Sequence, residues 1–415
     1  MAETARLPPA FWMSAAPVQA VFNALGAPAT DVRFVGGCVR DAILSRPIKD
    51  IDIATPDEPD VVTEKLAQAG LKAVPTGLAH GTVTAVAGRQ PFEITTLRKD
   101  TACDGRHAAV EFTTDWVEDA SRRDFTFNAL SLRQDGELFD PFGGVDDAKA
   151  GRVQFVGDPR DRIQEDYLRI LRYFRFVALY GAGEPDSAIL SACNAMRHGL
   201  AALSTERVRN EFTKLLNAPD PVVATVAMGN TGVLGELFPE TAAIESLRTL
   251  MTVERRFDVA CGDRAWRRRW VALFDQESGS VARRMKLSGK DTKSIEALNA
   301  AALAAANAFE PIPCNRFLHE FANATDPDCP AVGAVLIASA REGGDRTSGW
   351  SDLMERARGW TVRRFPLGGA DVQRLGVEDG PRIGTLLREV EQEWVDGGFV
   401  STPSDLRARL KSLST

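Results

Sequence analysis

Long apolar runs, paired cysteines and histidines are all scarce in this sequence, and each scarcity excludes a class of protein. No stretch of about eighteen apolar residues occurs, so no membrane span and no membrane partner are expected. The six cysteines contain no Cys-x-x-Cys pair, which argues against a zinc site or a disulfide framework. None of the four histidines stands beside an aspartate, so a histidine–aspartate metal centre is not expected.

The overall composition predicts an ordinary globular protein. Of the 415 residues, 44% are hydrophobic and 26% are charged. This length exceeds what one hydrophobic core usually serves and predicts roughly two to four domains. The first residues, MAETARLPPAFW, lack a basic stretch followed by an apolar segment, so no signal peptide is expected and the predicted location is cytoplasmic.

The charge balance bears on nucleic-acid binding. A formal charge of −7 disfavours a nucleic-acid partner for the molecule as a whole, but RNA binding requires only a local basic face. Solvated surface explains any single basic cluster equally well, so the clusters permit RNA binding without demonstrating it. They lie at Arg264 with Arg267–Arg269, at Arg283–Arg284 with Lys286 and Lys290, and at Arg363–Arg364.

The segment FVGGCVRD, which begins at Phe34, predicts a phosphate site. Gly36 and Gly37 carry no Cβ and therefore allow a sharp turn between a buried strand and a short helix. Free N–H groups at the start of such a helix can bind a phosphate. Arg40 follows one turn later and can donate charge-assisted hydrogen bonds to the same anion.

Two carboxylates follow at once, at Asp50 and Asp52. On one strand the i, i+2 spacing directs both side chains to the same face, where they repel each other unless a cation lies between them. Mg²⁺ prefers such hard oxygen ligands. A lone Gly-Gly is most often a simple turn, and a lone Asp-x-Asp is most often an exposed edge or a cap. Their combination in one strand–turn–helix–strand unit favours nucleotide chemistry.

These residues resemble the nucleotidyltransferase superfamily of DNA polymerase β type and, within it, the class II tRNA nucleotidyltransferase and bacterial poly(A) polymerase family. The matching blocks occur in the family's order and cover the first half of the chain densely. They are GGCVRD at Gly36–Asp41, DID at Asp50–Asp52, EITTLR at Glu93–Arg98, RRDFTFNAL at Arg122–Leu130, DPFGG at Asp140–Gly144 and EDYLRILRYFRF at Glu165–Phe176.

The resemblance implies an α+β fold, with an N-terminal nucleotidyltransferase head of mixed sheet and helices followed by an all-α neck, body and tail. Helical patterns after residue 220, such as SIEALNAAALAAANAF, agree with that expectation. The expected boundaries are 17–152 for the catalytic head, 153–220 for the neck that recognises the base, 221–350 for an RNA-binding body and 351–415 for an RNA-binding tail.

The resemblance also assigns roles to residues of the head. Asp50 and Asp52 are the expected catalytic, Mg²⁺-binding residues. The expected triphosphate contacts are Gly36, Gly37, Arg40 and Arg123, and Asp124 and Asn128 are expected near the ribose. The pattern at Ser121–Leu132 predicts a helix capped by Ser121, and two arginines at a helix start oppose its dipole unless an anion or a carboxylate compensates them.

In the neck, Asp166, Arg169, Arg172 and Arg175 recur at every third position. Stacked arginines repel unless anions or carboxylates lie opposite. The resemblance implies that Asp166 and Arg169 recognise the incoming base in place of a template, and that Arg172 and Arg175 line the nucleotide pocket. A Glu-Arg-x-x-x-Glu block at Glu206–Glu211 is expected to support this helix through ion pairs.

Two further positions keep alternative interpretations. Glu93 is either a third metal-binding carboxylate or a structural one on a strand surface. The polar stretch Lys99–Glu111 has no clear period and predicts a mobile loop, in which Arg106 matches a cation of the loop that switches relatives from C to A addition. An ordinary surface hairpin is the alternative for this stretch.

The activity expected from the resemblance is template-independent addition of C, C and A from CTP and ATP to the 3′ end of tRNA, with release of pyrophosphate by a two-metal mechanism. The stretch Pro75–Val83 resembles CCA-adding enzymes and lacks the basic signature of bacterial poly(A) polymerases. Poly(A) tailing remains the first alternative. A non-catalytic RNA- or nucleotide-binding relative is the second, and the intact pair of aspartates argues against it.

Overall fold

The computed structural model describes residues 6–8, 10–77, 81–103, 108–240, 242–259, 262–322, 330–344 and 348–414. By its internal contacts the chain divides into two units, one of residues 1–211 with 223–237 and one of residues 212–222 with 238–415. Across the described ranges, no helix combines the length and the apolar character needed to cross a membrane.

A mixed sheet organises the N-terminal unit. Its strand order is β3-β4-β5-β2-β1-β8-β9, and all neighbours are antiparallel except β2 and β5, which run parallel. Strands β6 and β7 form a separate two-stranded ribbon. The strands are β1 Arg33–Val35, β2 Asp52–Thr55, β3 Lys72–Gly77, β4 Thr82–Ala87, β5 Gln90–Thr96, β6 Arg98–Cys103, β7 Ala108–Phe112, β8 Ser131–Leu132 and β9 Leu138–Phe139.

Helices cover the sheet and then continue alone. The first twelve are α1 Phe11–Ser14, α2 Ala16–Ala24, α3 Gly37–Ile43, α4 Pro59–Gln68, α5 Trp116–Ser121, α6 Gly144–Ala150, α7 Pro159–Glu165, α8 Leu168–Tyr180, α9 Ser187–Met196, α10 Thr205–Leu216, α11 Val222–Asn230 and α12 Val233–Leu237. Short 3₁₀ helices lie at Thr126–Asn128 and Arg197–Ala202.

In the described part of the remaining chain the regular elements are helices, as the sequence predicted. Its helices are α13 Ile244–Arg256, α14 Ala265–Phe274, α15 Ser278–Arg284, α16 Gly289–Ala305, α17 Pro311–Phe321, α18 Pro330–Arg341, α19 Ser348–Arg358, α20 Gly369–Gln373, α21 Gly380–Asp396 and α22 Pro403–Ser414, with a 3₁₀ turn at Asp275–Glu277. This α+β arrangement, with the sheet first and helices after it, confirms the expected fold class.

The core of the N-terminal unit lies between α2, α3, α4 and the sheet. Phe22, Phe34, Ile53, Leu66 and Phe92 are fully buried there. Burial of this apolar surface fixes the end of β1 against β2. The turn between β1 and α3 and the first residue of β2 are therefore presented together at one edge of the core.

The basic cluster at Arg267–Arg269 is not a surface face. Arg269 is 1% exposed, and its guanidinium donates to Glu254 Oε2 at 2.8 Å and to the carbonyl of Leu216 at 2.8 Å. Arg268 donates to Glu254 Oε1 at 2.6 Å, and Arg267 donates to Asp291 at 2.6 Å. Arg268 and Arg269 compensate the buried Glu254, and Arg267 pairs with the half-buried Asp291. The expectation that these three arginines permit RNA binding is therefore wrong.

Candidate active site

A cavity of about 490 Å³ opens in the N-terminal unit. Its wall combines the turn after β1, the start of β2, the segment after α5 and one side of α8. The lining residues are Gly36, Gly37, Arg40, Asp52, Arg123, Asp124, Asn128, Asp166, Leu168, Arg169, Arg172, Phe176 and Arg207. Together with α10, which contributes Arg207, these segments bring the predicted residues to one site.

The glycine turn brings backbone close to a guanidinium. Gly36 has a φ of 68°, a left-handed conformation that glycine adopts without strain, and it precedes α3. A Cβ at this position would lie 3.4 Å from Nη1 of Arg123. The turn therefore leaves room for an anion to approach the backbone next to a positive charge.

Arg40 is nearly buried and points along the cavity wall. Its Nη1 donates to Oδ1 of Asn128 at 2.6 Å, and its Nε donates to Oδ1 of Asp41 at 2.9 Å. Asn128 in turn donates through Nδ2 to Oδ1 of Asp124 at 3.0 Å, and Arg172 donates through Nε to Oδ2 of Asp124 at 2.6 Å. A continuous hydrogen-bond network thus fixes these polar side chains in place.

Asp124 is the anionic centre of that network. Burial alone raises the pKa of a carboxyl, but the charge of Arg172 and the bond from Asn128 hold the pKa of Asp124 below its ordinary value. The group is therefore ionised near neutral pH. Its role in the free protein is to hold Arg172 and Asn128, which both face the cavity.

Three carboxylates, Asp50, Asp52 and Glu93, lie near one another, and of these Asp52 lines the cavity. Glu93 on β5 is the register partner of Asp52 on β2, so the two side chains leave the same face of the sheet. Burial first, and then repulsion from Glu93 and Asp50, raise the pKa of Asp52 to about 6, although Arg123 opposes the rise. In the described part of the chain these three carboxylates accept no hydrogen bond and form no ion pair.

Asp50 lies just outside the strand, where the sequence had predicted it within the strand. The reason is the shortness of β1, which pairs Val35 with Asp52 and then turns at Gly36, so no β1 residue remains to pair with Asp50. Asp50 is exposed, and its charge still acts on Asp52. The two carboxylates therefore remain neighbours beside the turn.

The arrangement of carboxylates fits a divalent cation that shares its ligands with a substrate. Among the described residues, no group of three or more histidine, cysteine, aspartate or glutamate side chains is built to hold a metal ion by itself. Mg²⁺ commonly takes only one or two carboxylates and completes its shell with water and substrate phosphates. The unpaired, mutually repelling pair Asp50 and Asp52 has that chemistry.

The far end of the cavity is formed where α7 meets α8. Asp166 lies between the two helices, and its Oδ1 accepts from the N–H of Leu168, the first residue of α8, at 3.1 Å. Its Oδ2 accepts from Arg207 at 2.6 Å. Arg169 donates to Glu165 at 2.5 Å and to the carbonyl of Arg122 at 3.2 Å. Both side chains are thereby fixed and present polar groups of opposite charge to the cavity.

The segment around Arg122 and Arg123 differs from the prediction. Asp115, not Ser121, caps the local helix, by accepting from the N–H of Val117 at 2.7 Å. Helix α5 ends at Ser121, so both arginines follow a helix C-terminus, where positive charge is favourable. The expectation of a compensating carboxylate is confirmed, because Asp119 pairs with Arg122 at 2.7 Å and with Arg123 at 3.0 Å.

Three further expectations concern Arg175, the stretch Lys99–Glu111 and the Glu206–Glu211 block. Arg175 does not line the cavity; it donates to Glu211 at 2.6 Å and stacks on Phe176. The stretch Lys99–Glu111 consists largely of β6 and β7 rather than a loop, and Arg106 lies outside the described residues. The supporting role expected of the Glu206–Glu211 block is confirmed by the pairs of Arg207 and Glu211 with the neck.

Sequence reasoning did not assign Leu168, Phe176 or Arg207 to the cavity. Phe176 carried a usable signal, because it follows Arg172 by four residues and therefore shares its helix face. Arg207 carried a weaker one, since only the fold brings α10 next to the junction of α7 and α8.

The sheet, the glycine turn and the neighbouring carboxylates define a nucleotidyltransferase head. Residues 32–154 match the family model described as "Poly A polymerase head domain". Residues 184–245 match the model described as "Probable RNA and SrmB- binding site of polymerase A".

Curated relatives extend the similarity over nearly the whole chain. A mitochondrial CCA tRNA nucleotidyltransferase 1 of Mus musculus is 33% identical, over 92% of this chain and 86% of the relative. A CCA-adding enzyme of Streptococcus gordonii is 32% identical, over 96% of both chains. The crystal structure of the Bacillus stearothermophilus CCA-adding enzyme in complex with CTP superposes with a TM-score of 0.76, at 27% identity over 96% of this chain and 98% of that one. The chain belongs to the class II tRNA nucleotidyltransferase family, which includes the CCA-adding enzymes.

Proposed function

We propose that this chain adds C, C and A to the 3′ end of tRNA, taking the nucleotides from CTP and ATP and releasing pyrophosphate. The observation that carries the proposal is the cavity itself, whose lining brings together the unpaired carboxylate Asp52, a glycine turn with two guanidiniums, and the fixed side chains of Asp166 and Arg169. The names of the relatives from Mus musculus and Streptococcus gordonii support the same activity.

In this proposal the turn and two arginines bind the incoming triphosphate. Arg40 and Arg123 supply positive charge in a largely water-excluded wall, where each charge–charge interaction is stronger than in bulk water. Gly36 allows the phosphates to approach the backbone. Asn128 and Asp124 hold Arg40 and Arg172 and lie where the ribose is expected.

Asp50 and Asp52 would hold Mg²⁺ next to the triphosphate, and Glu93 lies close enough to repel the charge of Asp52. When bound there, the metal supplies activation of the RNA 3′-hydroxyl and neutralisation of charge on the departing pyrophosphate. The contribution of the chain is to keep these carboxylates unpaired, so that their oxygens remain available as ligands.

Asp166 and Arg169 would select the base. Because Arg207, Glu165 and the carbonyl of Arg122 fix their positions, they present a set of donors and acceptors that a base must match. A base that does not match leaves buried polar groups without partners, and this penalty provides discrimination without a template.

The expected division into head, neck, body and tail is part of the same proposal. A head at 17–152 contains the sheet, and a neck at 153–220 contains α8 and α10. A separate apolar core formed by Val372, Val390, Trp394, Leu406 and other residues of the last three helices supports a distinct tail; this core includes no residue before Phe365, so it does not bear on the proposed start at residue 351. The cytoplasmic location stays a prediction, since the relatives include mitochondrial enzymes.

One incubation distinguishes this function from its rivals. The protein is mixed with Mg²⁺, labelled CTP and ATP, and tRNA that lacks its 3′-terminal CCA, and the products are sequenced. Addition of C, C and A, followed by arrest, is the expected result. A long A-tract would establish poly(A) tailing instead, and no incorporation at any nucleotide concentration would favour a non-catalytic binder.

A further inference from the structure

Tyr180, the last residue of α8, contacts the helix that follows the glycine turn. Its hydroxyl donates to Oδ1 of Asp41 at 2.9 Å. The same carboxylate accepts from Arg40, through Nε at 2.9 Å and Nη2 at 3.1 Å. Asp41 therefore connects the phenol of Tyr180 to the guanidinium that lines the nucleotide cavity.

The ring of Tyr180 also has defined contacts, with two guanidiniums. The guanidinium carbon of Arg40 lies 4.2 Å from the ring centroid, and that of Arg46 lies 4.3 Å from it. Arg46 is itself anchored, because it donates to the carbonyl of Leu179 at 2.8 Å. Burial raises the pKa of the phenol; the charge of Arg40 opposes this, and Asp41 adds to the rise, so Tyr180 stays protonated and acts as a donor.

These contacts belong to a longer circuit that begins and ends on α8. It runs from Tyr180 through Asp41, Arg40, Asn128 and Asp124 to Arg172. Residues 172 and 180 are eight positions apart, which places them on the same side of the helix, slightly more than two turns apart. Helix α8, whose first turn carries Arg169, thus sets the orientation of Arg40 in two ways: through Tyr180 at its last residue and through Arg172 nearer its start.

We propose that Tyr180 is a positioning residue for nucleotide binding: its hydroxyl holds Asp41, and Asp41 orients Arg40 toward the triphosphate. The inference rests on the proposed function, because it takes the cavity to be the nucleotide site. Tyr180 does not line the cavity, so it acts only through Arg40.

Replacement Tyr180→Phe tests this role, since it keeps the ring between Arg40 and Arg46 and removes only the donor. The KM for CTP and the KM for ATP are both expected to rise by about three- to tenfold, because the hydrogen bond to a charged partner is lost. The KM for tRNA and the order of added nucleotides are expected to stay at their wild-type values. A purely structural role would lower Tm without this selective change in nucleotide KM.

Tyr173→Phe is the matched control. Tyr173 lies on the same helix, is buried, and stacks in the aromatic cluster with Phe125 and Phe155, away from Asp41. Tyr173→Phe also removes one hydroxyl, but it should leave the KM for CTP and the KM for ATP unchanged. If it raises the nucleotide KM as much as Tyr180→Phe does, the specific role of Tyr180 is overturned.

A double-mutant cycle with Asp41→Ala shows whether Tyr180 acts through the carboxylate. If it does, Tyr180→Phe has no further effect on the nucleotide KM in the Asp41→Ala background. Equal effects in both backgrounds, or a wild-type KM for Tyr180→Phe, would overturn the inference. The proposed function is tested separately by the wild type. If the wild type adds CCA, that function stands whatever the variants show; if the wild type is inactive, the proposed function is wrong.

Discussion

At the scale of single residues, the site is defined by which charges are paired and which are not. Arg40, Arg172 and Arg169 each have a carboxylate partner. Asp52, by contrast, is repelled by the like charges of its neighbours Asp50 and Glu93. Unpaired like charges cost stability, and a site that keeps them is typical of ligand or metal binding. The contrast between the paired arginines and the unpaired carboxylates is therefore the main physical sign of function.

Asp119 shows the opposite case, a carboxylate whose pairing stabilises the fold. It is 3% exposed in its side chain and pairs with both Arg122 and Arg123. Replacement Asp119→Asn is expected to reduce the free energy of unfolding by about 3 kcal/mol, because it leaves two partly buried guanidiniums without their anion. Urea unfolding at pH 7 measures this, with the exposed Asp146→Asn as the control.

The same residue predicts a pH dependence. Burial raises the pKa of Asp119, but Arg123 and Arg122 outweigh it and hold the pKa below its ordinary value. The unfolded chain therefore takes up the proton first as pH falls, and the stabilisation is present above about pH 4 and is lost below it. The difference in stability between wild type and Asp119→Asn should shrink in that acid range; a constant difference down to pH 2.5, roughly a unit below the ordinary pKa, would contradict the assignment.

At the scale of elements, α8 carries a row of arginines that other elements neutralise. Arg172 pairs with Asp124 of the segment after α5, and Arg175 pairs with Glu211 of α10. The sequence predicted that such a row needs opposing anions, and the fold supplies them as carboxylates from distant positions. Ion pairs thereby connect α8 both to the segment after α5 and to α10.

Replacement Glu211→Gln tests that connection. Arg175 and Glu211 are 14% and 8% exposed in their side chains, so an uncompensated Arg175 is expected to cost about 3 kcal/mol of stability. The double replacement Arg175→Leu with Glu211→Leu should be less destabilising than Glu211→Gln alone. Lys214→Gln, an exposed change on the same helix, is the control, and an equal effect of all three would refute a specific ion pair.

Local patterns predicted elements well where the pattern was long. The alanine-rich stretch SIEALNAAALAAANAF, whose composition predicted a helix, lies largely within α16. Strand β3 was not predicted, since Pro75 interrupts it in sequence and edge strands tolerate proline. The prediction of a helix that starts at Ser121 was wrong, because the helix ends there. Asp119, the carboxylate that pairs with Arg122, lies in that helix and precedes the arginines.

The site was predictable to the extent that its residues lie in short blocks. Gly36, Arg40 and Asp52 share one block, and their proximity follows from a single turn. The pairs Arg207–Asp166 and Tyr180–Asp41 join positions far apart in the chain, at 41 and 139 residues, and only the tertiary structure places them together.

At the scale of the whole molecule, net charge is a poor guide to the partner. The chain carries −7, yet the proposed substrate is RNA. Of the basic clusters in the helical unit, Arg267–Arg269 is buried, and Arg283 and Arg284 pair with Glu296 and Glu240. Within the clusters between residues 264 and 290, exposed Lys290 at the start of α16 is therefore a better candidate for a phosphate contact than these arginines.

Salt dependence tests this assignment. The KM for tRNA is expected to rise at least about tenfold between 50 and 200 mM salt, since phosphate contacts release counterions. Lys290→Gln should raise the KM for tRNA and reduce the slope of log KM against log salt by about 1, whereas the exposed Lys149→Gln in the N-terminal unit should not. An unchanged slope for Lys290→Gln would exclude that lysine from the RNA interface.

The central claim is that the carboxylates beside the glycine turn hold the metal for nucleotide transfer. Its most direct measurement is the rate of CMP addition to tRNA lacking CCA, together with Mn²⁺ binding in the presence of CTP, for Asp52→Asn, Asp50→Asn and the exposed control Asp60→Asn. Both active-site variants are expected to lose activity by at least about a thousandfold and to lose Mn²⁺ binding while they stay folded, and the control should match the wild type. Wild-type addition rates in Asp52→Asn would contradict the account.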